Sequence, residues 1–118
     1  MEYDLIIIGG GAAGLMAAGT AASAGAKVVL LEKMEKSGRK VRITGKGRCN
    51  VTNARPPEEF AGQGRTNAEF FSTAFAEFNN KATIRFFERL GVKLDVERGE
   101  RVFPRSGKAW DIANALLE

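Results

Sequence analysis

The feature that most restricts how this chain can fold is a glycine cluster set between two short apolar runs in its first 32 residues. Residues 3–8, Tyr-Asp-Leu-Ile-Ile-Ile, have the short, β-branched, nearly all-apolar pattern of a strand buried in a parallel sheet. Gly9-Gly10-Gly11 breaks that run. Residues 12–24 predict a helix of small side chains, able to lie closer to a sheet than bulky residues would allow, with Gly25 as its stop. Residues 27–31 predict a second buried strand, closing at Glu32. Strand, helix and strand in about 30 residues have the size of a βαβ unit, whose crossover is almost always right-handed.

The glycines follow the spacing Gly9-x-Gly11-x-x-Gly14. That spacing is weak by itself and strong where a strand precedes it and a helix follows. Gly9 permits the tight turn, Gly11 lets the backbone approach a pyrophosphate, and Gly14 lets helix and strand pack closely. The N–H groups of the first helical turn, at Ala12 and Ala13, with the helix dipole behind them, suit phosphates. Glu32 lies 18 residues after Gly14. An acid there accepts hydrogen bonds from adenosine ribose hydroxyls and disfavours a 2′-phosphate, which argues against NADP as the nucleotide held here. The expected class is α/β, with a Rossmann-like dinucleotide-binding βαβ fold.

Charge is concentrated rather than spread. Lys33, Lys36, Arg39, Lys40, Arg42, Lys46 and Arg48 crowd into residues 33–48 against Glu35 alone. The whole chain carries a net +4, so the remainder is slightly acidic. On charge alone three readings stay open: nucleic-acid binding, a phosphate-bearing small ligand, or a solvated loop.

Residues 33–65 hold five glycines and Pro56-Pro57 and predict no regular structure. So long an irregular stretch is usually functional or disordered. Thr66-Asn67-Ala68-Glu69 is a capping-box pattern opening a helix over 67–78, with Phe71, Ala74, Phe75 and Phe78 as its apolar stripe. A second helix over 81–90 carries Ile84, Phe87 and Leu90, with Gly91 as its stop. These phenylalanines read as core. Val92, Leu94 and Val96 alternate with Lys93 and Asp95, and Val102-Phe103 follow a Glu97-Arg98-Gly99-Glu100 turn, the pattern of a small hairpin. Ala109, Ile112, Ala113, Leu116 and Leu117 then recur at helical spacing up to Glu118.

Composition excludes several classes. At 118 residues the chain is one domain's length, long enough for a core without staples. The apolar runs Leu5–Ile8 and Val28–Leu31 fall far short of the roughly 20 residues that span a bilayer, so no membrane partner is expected. No basic segment precedes the first strand, so no secretory signal is expected, and a single cysteine, Cys49, suits a reducing cytoplasm. Without histidine, ordinary His/Cys zinc sites are excluded and no metal is expected.

Residues 4–33 resemble the ADP-binding βαβ unit of flavoproteins with two dinucleotide-binding domains, with Ala18 as the small residue usual four positions after the last glycine. Residues 38–53, GRKVRITGKGRCNVTN, closely resemble the GRKxxxTGxGRCNxTN stretch of the HI0933-like flavoproteins. Phe78-Asn79-Asn80, Phe86-Phe87-Glu88 with Leu90-Gly91-Val92, and Arg101-Val102-Phe103-Pro104 with Ser106, Lys108, Ala109 and Asp111 fit the same family. One local departure is Glu100, where the family often has glycine; only a changed turn is expected.

The resemblance implies an FAD-binding segment of an FAD-dependent oxidoreductase, passing hydride through flavin from NAD(P)H to an unidentified small-molecule acceptor. It implies cofactor contacts from Gly9, Gly11, Ala12, Ala13, Gly14, Glu32, Lys33, Arg39, Lys40, Thr44, Gly45, Gly47, Arg48, Cys49 and Asn50. Phe103, Ser106 and Lys108 would border the flavin. On this reading the βαβ unit occupies 3–32, a cofactor loop 33–65, a helical pair 67–90, and a hairpin with the start of a helix 92–118. The basic window then holds phosphate, and no nucleic-acid partner is expected. Cys49 has two readings, a redox-active thiol beside Arg48 or a small side chain packed near the cofactor. Family members run to several hundred residues, so the chain is expected to be an N-terminal piece, inactive alone and prone to self-association. The rivals are an NAD-binding dehydrogenase domain and a basic nucleic-acid-binding module.

Overall fold

Parallel strands need a long crossover, and the chain supplies one as a helix of small residues. The computed structural model of the chain describes residues 2–60 and 68–117. Its elements in order are β1 (Leu5–Ile8), α1 (Ala12–Ser23), β2 (Val28–Leu31), α2 (Arg39–Gly47), β3 (Thr52–Asn53), α3 (Ala68–Glu77), α4 (Asn80–Arg89), β4 (Leu94–Glu97), β5 (Arg101–Pro104) and α5 (Ala109–Leu117). Single 3-10 turns cover Pro57–Phe60 and Arg98–Glu100. The chain divides into two units, Met1–Cys49 with Gly107–Glu118, and Asn50–Ser106. Among the described residues no helix is long and apolar enough to cross a membrane.

In the first unit β1 and β2 pair in parallel, Leu5 opposite Val28 and Ile8 opposite Leu31. α1 packs on both strands, and α5 packs chiefly on α1 and α2. Leu15, Ala109, Ile112, Ala113 and Ala115 are buried there. The strands are not buried as their composition predicts: Ile6 is 60% and Ile8 83% exposed. A two-stranded sheet flanked by one helix leaves a face open, and β-branched composition cannot count neighbours. On α5 the expected face is also adjusted, because Ala115 is buried while Leu117 is exposed.

The stretch 33–65, expected to lack regular structure, contains α2, β3 and a 3-10 turn. Gly38, at φ +71, turns the chain into α2. The helical course breaks after Ile43, with Thr44 extended and Gly45 and Lys46 left-handed. A helix this short is marginal alone and depends on its packing against α5, which composition does not reveal.

The second unit is a three-stranded antiparallel sheet in the order β3-β5-β4. Val102 lies opposite Thr52 on one side and Val96 on the other, and is fully buried. The expected hairpin is present, and β3 is the strand the sequence does not announce: two residues are too few for an alternation to register. α4 begins at an Asn79 cap, whose Oδ1 accepts from the Ala82 N–H at 2.9 Å, and buries Phe87. α3 departs from expectation. Phe70, Phe71 and Phe78 are exposed, and only Phe75 is half-buried, its ring 4.9 Å from Phe60 and 5.2 Å from Phe71. Its stripe is therefore not core among the described residues. The capping residues Thr66 and Asn67 lie outside the described residues, as does Glu118.

Candidate nucleotide-binding site

The candidate site is built on the turn from β1 into α1. Gly9 closes the turn at φ +104, and its N–H donates to the Leu31 carbonyl at 2.8 Å, tying the loop to the end of β2. A side chain at Gly14 would overlap the Gly9 carbonyl oxygen, so this glycine is a condition of helix and turn meeting at all. That matches its expected packing role.

Gly11 is different. It sits at φ −81 and ψ −170, a conformation open to any residue. A Cβ there would meet no atom within 4 Å. Nothing in the protein itself requires glycine at this position. The residue is also the N-cap of α1, has no capping side chain, and is followed by a first turn with no acid. The first N–H groups of a helix have no intrahelical partners. Here they surround exposed Ala12 and Ala13, at the positive end of a 12-residue helix. The residues present thus fit a bound pyrophosphate: an open cradle that a Cβ would fill, lined by unclaimed donors.

Glu32 stands beside this cradle. Its Oε1 accepts from the Gly10 N–H and its Oε2 from the Met34 N–H, each at 2.8 Å. The Met34 and then the Gly10 hydrogen bond hold its carboxyl below the usual range, so it is ionised near neutrality. Each oxygen keeps a further lone pair, so the carboxylate can still accept from a ribose hydroxyl.

Gly10 is the contributor that the fingerprint spacing leaves out. It is buried, and a Cβ there would come within 2.7 Å of the Ser37 Oγ and 3.1 Å of the Leu30 side chain. Its carbonyl accepts from the Gly38 N–H at 2.6 Å. The three consecutive glycines were the signal, since a fingerprint alone needs only the outer two.

The basic window mostly faces solvent. Lys33, Lys36, Arg39, Lys40 and Lys46 are exposed. The Arg39 guanidinium lies 3.8 Å from the Met34 sulfur. The Thr44 hydroxyl donates to the Val41 carbonyl at 2.8 Å, and Gly45 and Gly47 are exposed in the left-handed turn that ends α2. Arg48 is half-buried. Cys49 is buried at φ +60, and burial pushes its thiol up, against a smaller opposing effect of a Thr44 hydrogen bond. A raised pKa disfavours the thiolate and suits the packed reading better than the redox one. Asn50 and Phe103 belong to the second unit, where Phe103 is buried. Among the described residues no group of three His, Cys, Asp or Glu side chains is placed to hold a metal.

Comparison with known proteins adds a family and named relatives. Residues 3–118 match the family model described as the HI0933-like protein Rossmann domain. The chain is 38% identical over 113 residues to a 3-dehydro-bile acid delta(4,6)-reductase of Clostridium scindens, covering 93% of this chain and 27% of that protein. It is 37% identical over 92 residues to a ribosomal RNA dihydrouridine synthase of Escherichia coli, covering 77% of this chain and 22% of that protein. A ribosomal RNA dihydrouridine synthase of Haemophilus influenzae is 36% identical over 88 residues, covering 74% of this chain and 21% of its own length. The chain therefore spans about a quarter of the length of the curated relatives it matches.

Proposed function

This chain belongs to the HI0933-like family and carries its Rossmann domain, and on that premise we propose that it is the FAD-holding segment of an oxidoreductase. The observation that carries the reading is Gly11: a glycine that neither backbone conformation nor any neighbour requires, at the uncapped start of α1. The N–H groups of Gly11, Ala12, Ala13 and Gly14 hold the pyrophosphate, and Glu32 accepts from the adenosine ribose. Lys33, Arg39, Lys40 and Arg48 balance phosphate charge, while Thr44, Gly45, Gly47 and Cys49 line the path toward the flavin. Bound FAD supplies hydride chemistry at its isoalloxazine; protein groups bind, orient and tune it.

The donor in this proposal is NAD(P)H. The acceptor class is supported by the relatives' names. A delta(4,6)-reductase acts on carbon–carbon unsaturation, and a dihydrouridine has two more hydrogens than uridine across its ring double bond. Both point to an electron-poor C=C bond as the group reduced. The ribosomal RNA relatives also favour a second reading of the substrate, in which the double bond belongs to a uracil within RNA. Exposed Lys36 and Lys46 would then face the nucleic-acid backbone. That reading requires RNA binding that weakens steeply with salt.

The test is titration of the purified chain with ADP and with FAD, read by calorimetry and by the flavin spectrum after desalting. Saturable ADP binding that Gly11→Val abolishes, and Lys36→Ala leaves alone, supports the site. Equal binding by the two variants removes it.

A further inference from the structure

Arg42 is one of five residues that the family-like stretch 38–53 leaves unspecified, yet its side chain is tied to two acceptors. Its Nε donates to the Ser37 carbonyl at 3.1 Å, and its Nη2 donates to the Asn114 Oδ1 on α5 at 3.4 Å. Its own N–H donates to the Gly38 carbonyl at 3.0 Å. Three bonds from one residue therefore hold Ser37 and Gly38 and anchor them to α5. Ser37 and Gly38 in turn hold the glycine loop. The Gly38 N–H donates to the Gly10 carbonyl, and the Ser37 side chain fills the space where a Gly10 side chain would stand. The Gly10 N–H reaches the Glu32 carboxylate. Gly10 is thus fixed on both of its backbone polar groups, and the residue after it is the cradle glycine, Gly11.

We infer that Arg42 is a positioning residue for the nucleotide: it clamps Ser37–Gly38 onto Gly10 and keeps the Gly11 cradle in its binding shape without touching the ligand. The inference rests on the nucleotide-binding reading proposed above. The physical argument is preorganisation. A loop of consecutive glycines has more backbone freedom to lose than any other sequence. A ligand that must first order such a loop binds more weakly by the fraction of molecules already in shape. Two side-chain hydrogen bonds from a guanidinium, with a planar fork that reaches two acceptors at once, can hold that fraction high. Lysine has one point charge and cannot span both acceptors.

The experiment is ADP titration of the 118-residue chain and its Arg42→Met, Arg42→Lys and Gly11→Val variants at several salt concentrations. Hydrogen exchange at the Gly38 amide is followed alongside. Arg42→Met is expected to weaken ADP about tenfold, the loss when about one molecule in ten keeps the loop in place. Arg42→Lys should recover part of that loss. Both should keep the wild-type salt dependence, and protection of the Gly38 amide should fall in step with affinity. Wild-type affinity in Arg42→Met overturns the inference. So does a loss that lysine rescues completely with a shallower salt dependence in the methionine variant, which would mean that the charge meets phosphate directly. Should the methionine variant not fold, the lysine variant decides: affinity falling with no change in Gly38 protection, or the reverse, overturns the clamp. ADP binding that survives in Gly11→Val removes the nucleotide reading itself, independently of Arg42.

Discussion

Each of the two units is held together internally, and by opposite means. Around β1, α1 and β2, the close approaches are made by atoms that are missing: Gly14 against the Gly9 carbonyl, Gly10 against Ser37. Around β3, β5 and β4 they are made by atoms that are present. The buried Asn80 amide donates to the Asn53 and Arg55 carbonyls at 2.7 Å each, and the Asn53 amide donates to the Gly99 carbonyl at 3.0 Å. The first unit leaves Ile6 and Ile8 exposed, whereas the second buries Val102 completely. One lesson follows for mutagenesis: the first unit is broken by adding atoms and the second by removing them.

The largest expected effect is Gly14→Val. Its Cβ alone would overlap backbone, which cannot rotate away as a side chain does. The cost lies at or above the upper end of the ~1–3 kcal/mol usual for overpacking. Trp110 is the single tryptophan and lies in the first unit, so its fluorescence in a urea titration reads the loss there. Gly11→Val, which meets no neighbour, should cost about 1 kcal/mol or less through its poorer N-cap, while losing ADP. If both valines destabilise alike, the distinction between a packing glycine and a ligand glycine fails.

Asn80→Ala comes next. It leaves two carbonyls of β3 and its continuation without their donor, at about 2–3 kcal/mol. The Oδ1 of Asn80 has no partner, so part of the penalty is returned when the amide is removed. A change in Trp110 fluorescence midpoint as large as the change in circular dichroism midpoint would contradict an effect seated in the second unit.

Glu32 gives a pH dependence of the first unit. Its folded pKa lies below the ordinary 4.5, so the stability it adds is present above that value and lost as pH falls through the lower folded value. Acid melts followed by Trp110 should steepen below about pH 4.5 in the wild type and less so in Glu32→Gln. Identical acid limbs would mean that the Gly10 and Met34 hydrogen bonds contribute nothing.

The smallest effect is Glu100→Gly. Glu100 has φ +61, in the left-handed region, where the family resemblance leads one to expect glycine. Relief of that backbone cost should raise stability by up to about 1 kcal/mol, seen as a small rise in melting temperature. The ion pair lost with Arg55, 3.7 Å away and exposed on both sides, offsets little of it.

Much of the first unit is legible in the chain. Glycine spacing, small-residue helix and terminal acid each have a local physical meaning, and the parallel pairing of Leu5–Ile8 with Val28–Leu31 follows from them. The hairpin of β4 and β5 is legible for the same reason, because alternation and turn residues act over a few positions. The misreadings cluster where neighbours decide. α2 was hidden in a glycine-bearing basic stretch, and its packing on α5 comes from 70 residues away. The phenylalanines of α3 have the periodicity of core residues, yet Phe70 and Phe71 are exposed and Phe75 is only half-buried.

The sequence by itself therefore determined which backbone conformations are reachable: a turn that only glycine can make, a helix of small residues lying close to two strands, a carboxylate at the end of the second. Those depend on sterics within a few bonds. The tertiary structure alone decided what each exposed or buried group meets. It set Gly10 under Ser37 and Gly38, gave Arg42 its acceptor on α5, and seated Asn80 among the carbonyls of β3. Such partners are chosen by packing across the chain, which no local pattern encodes.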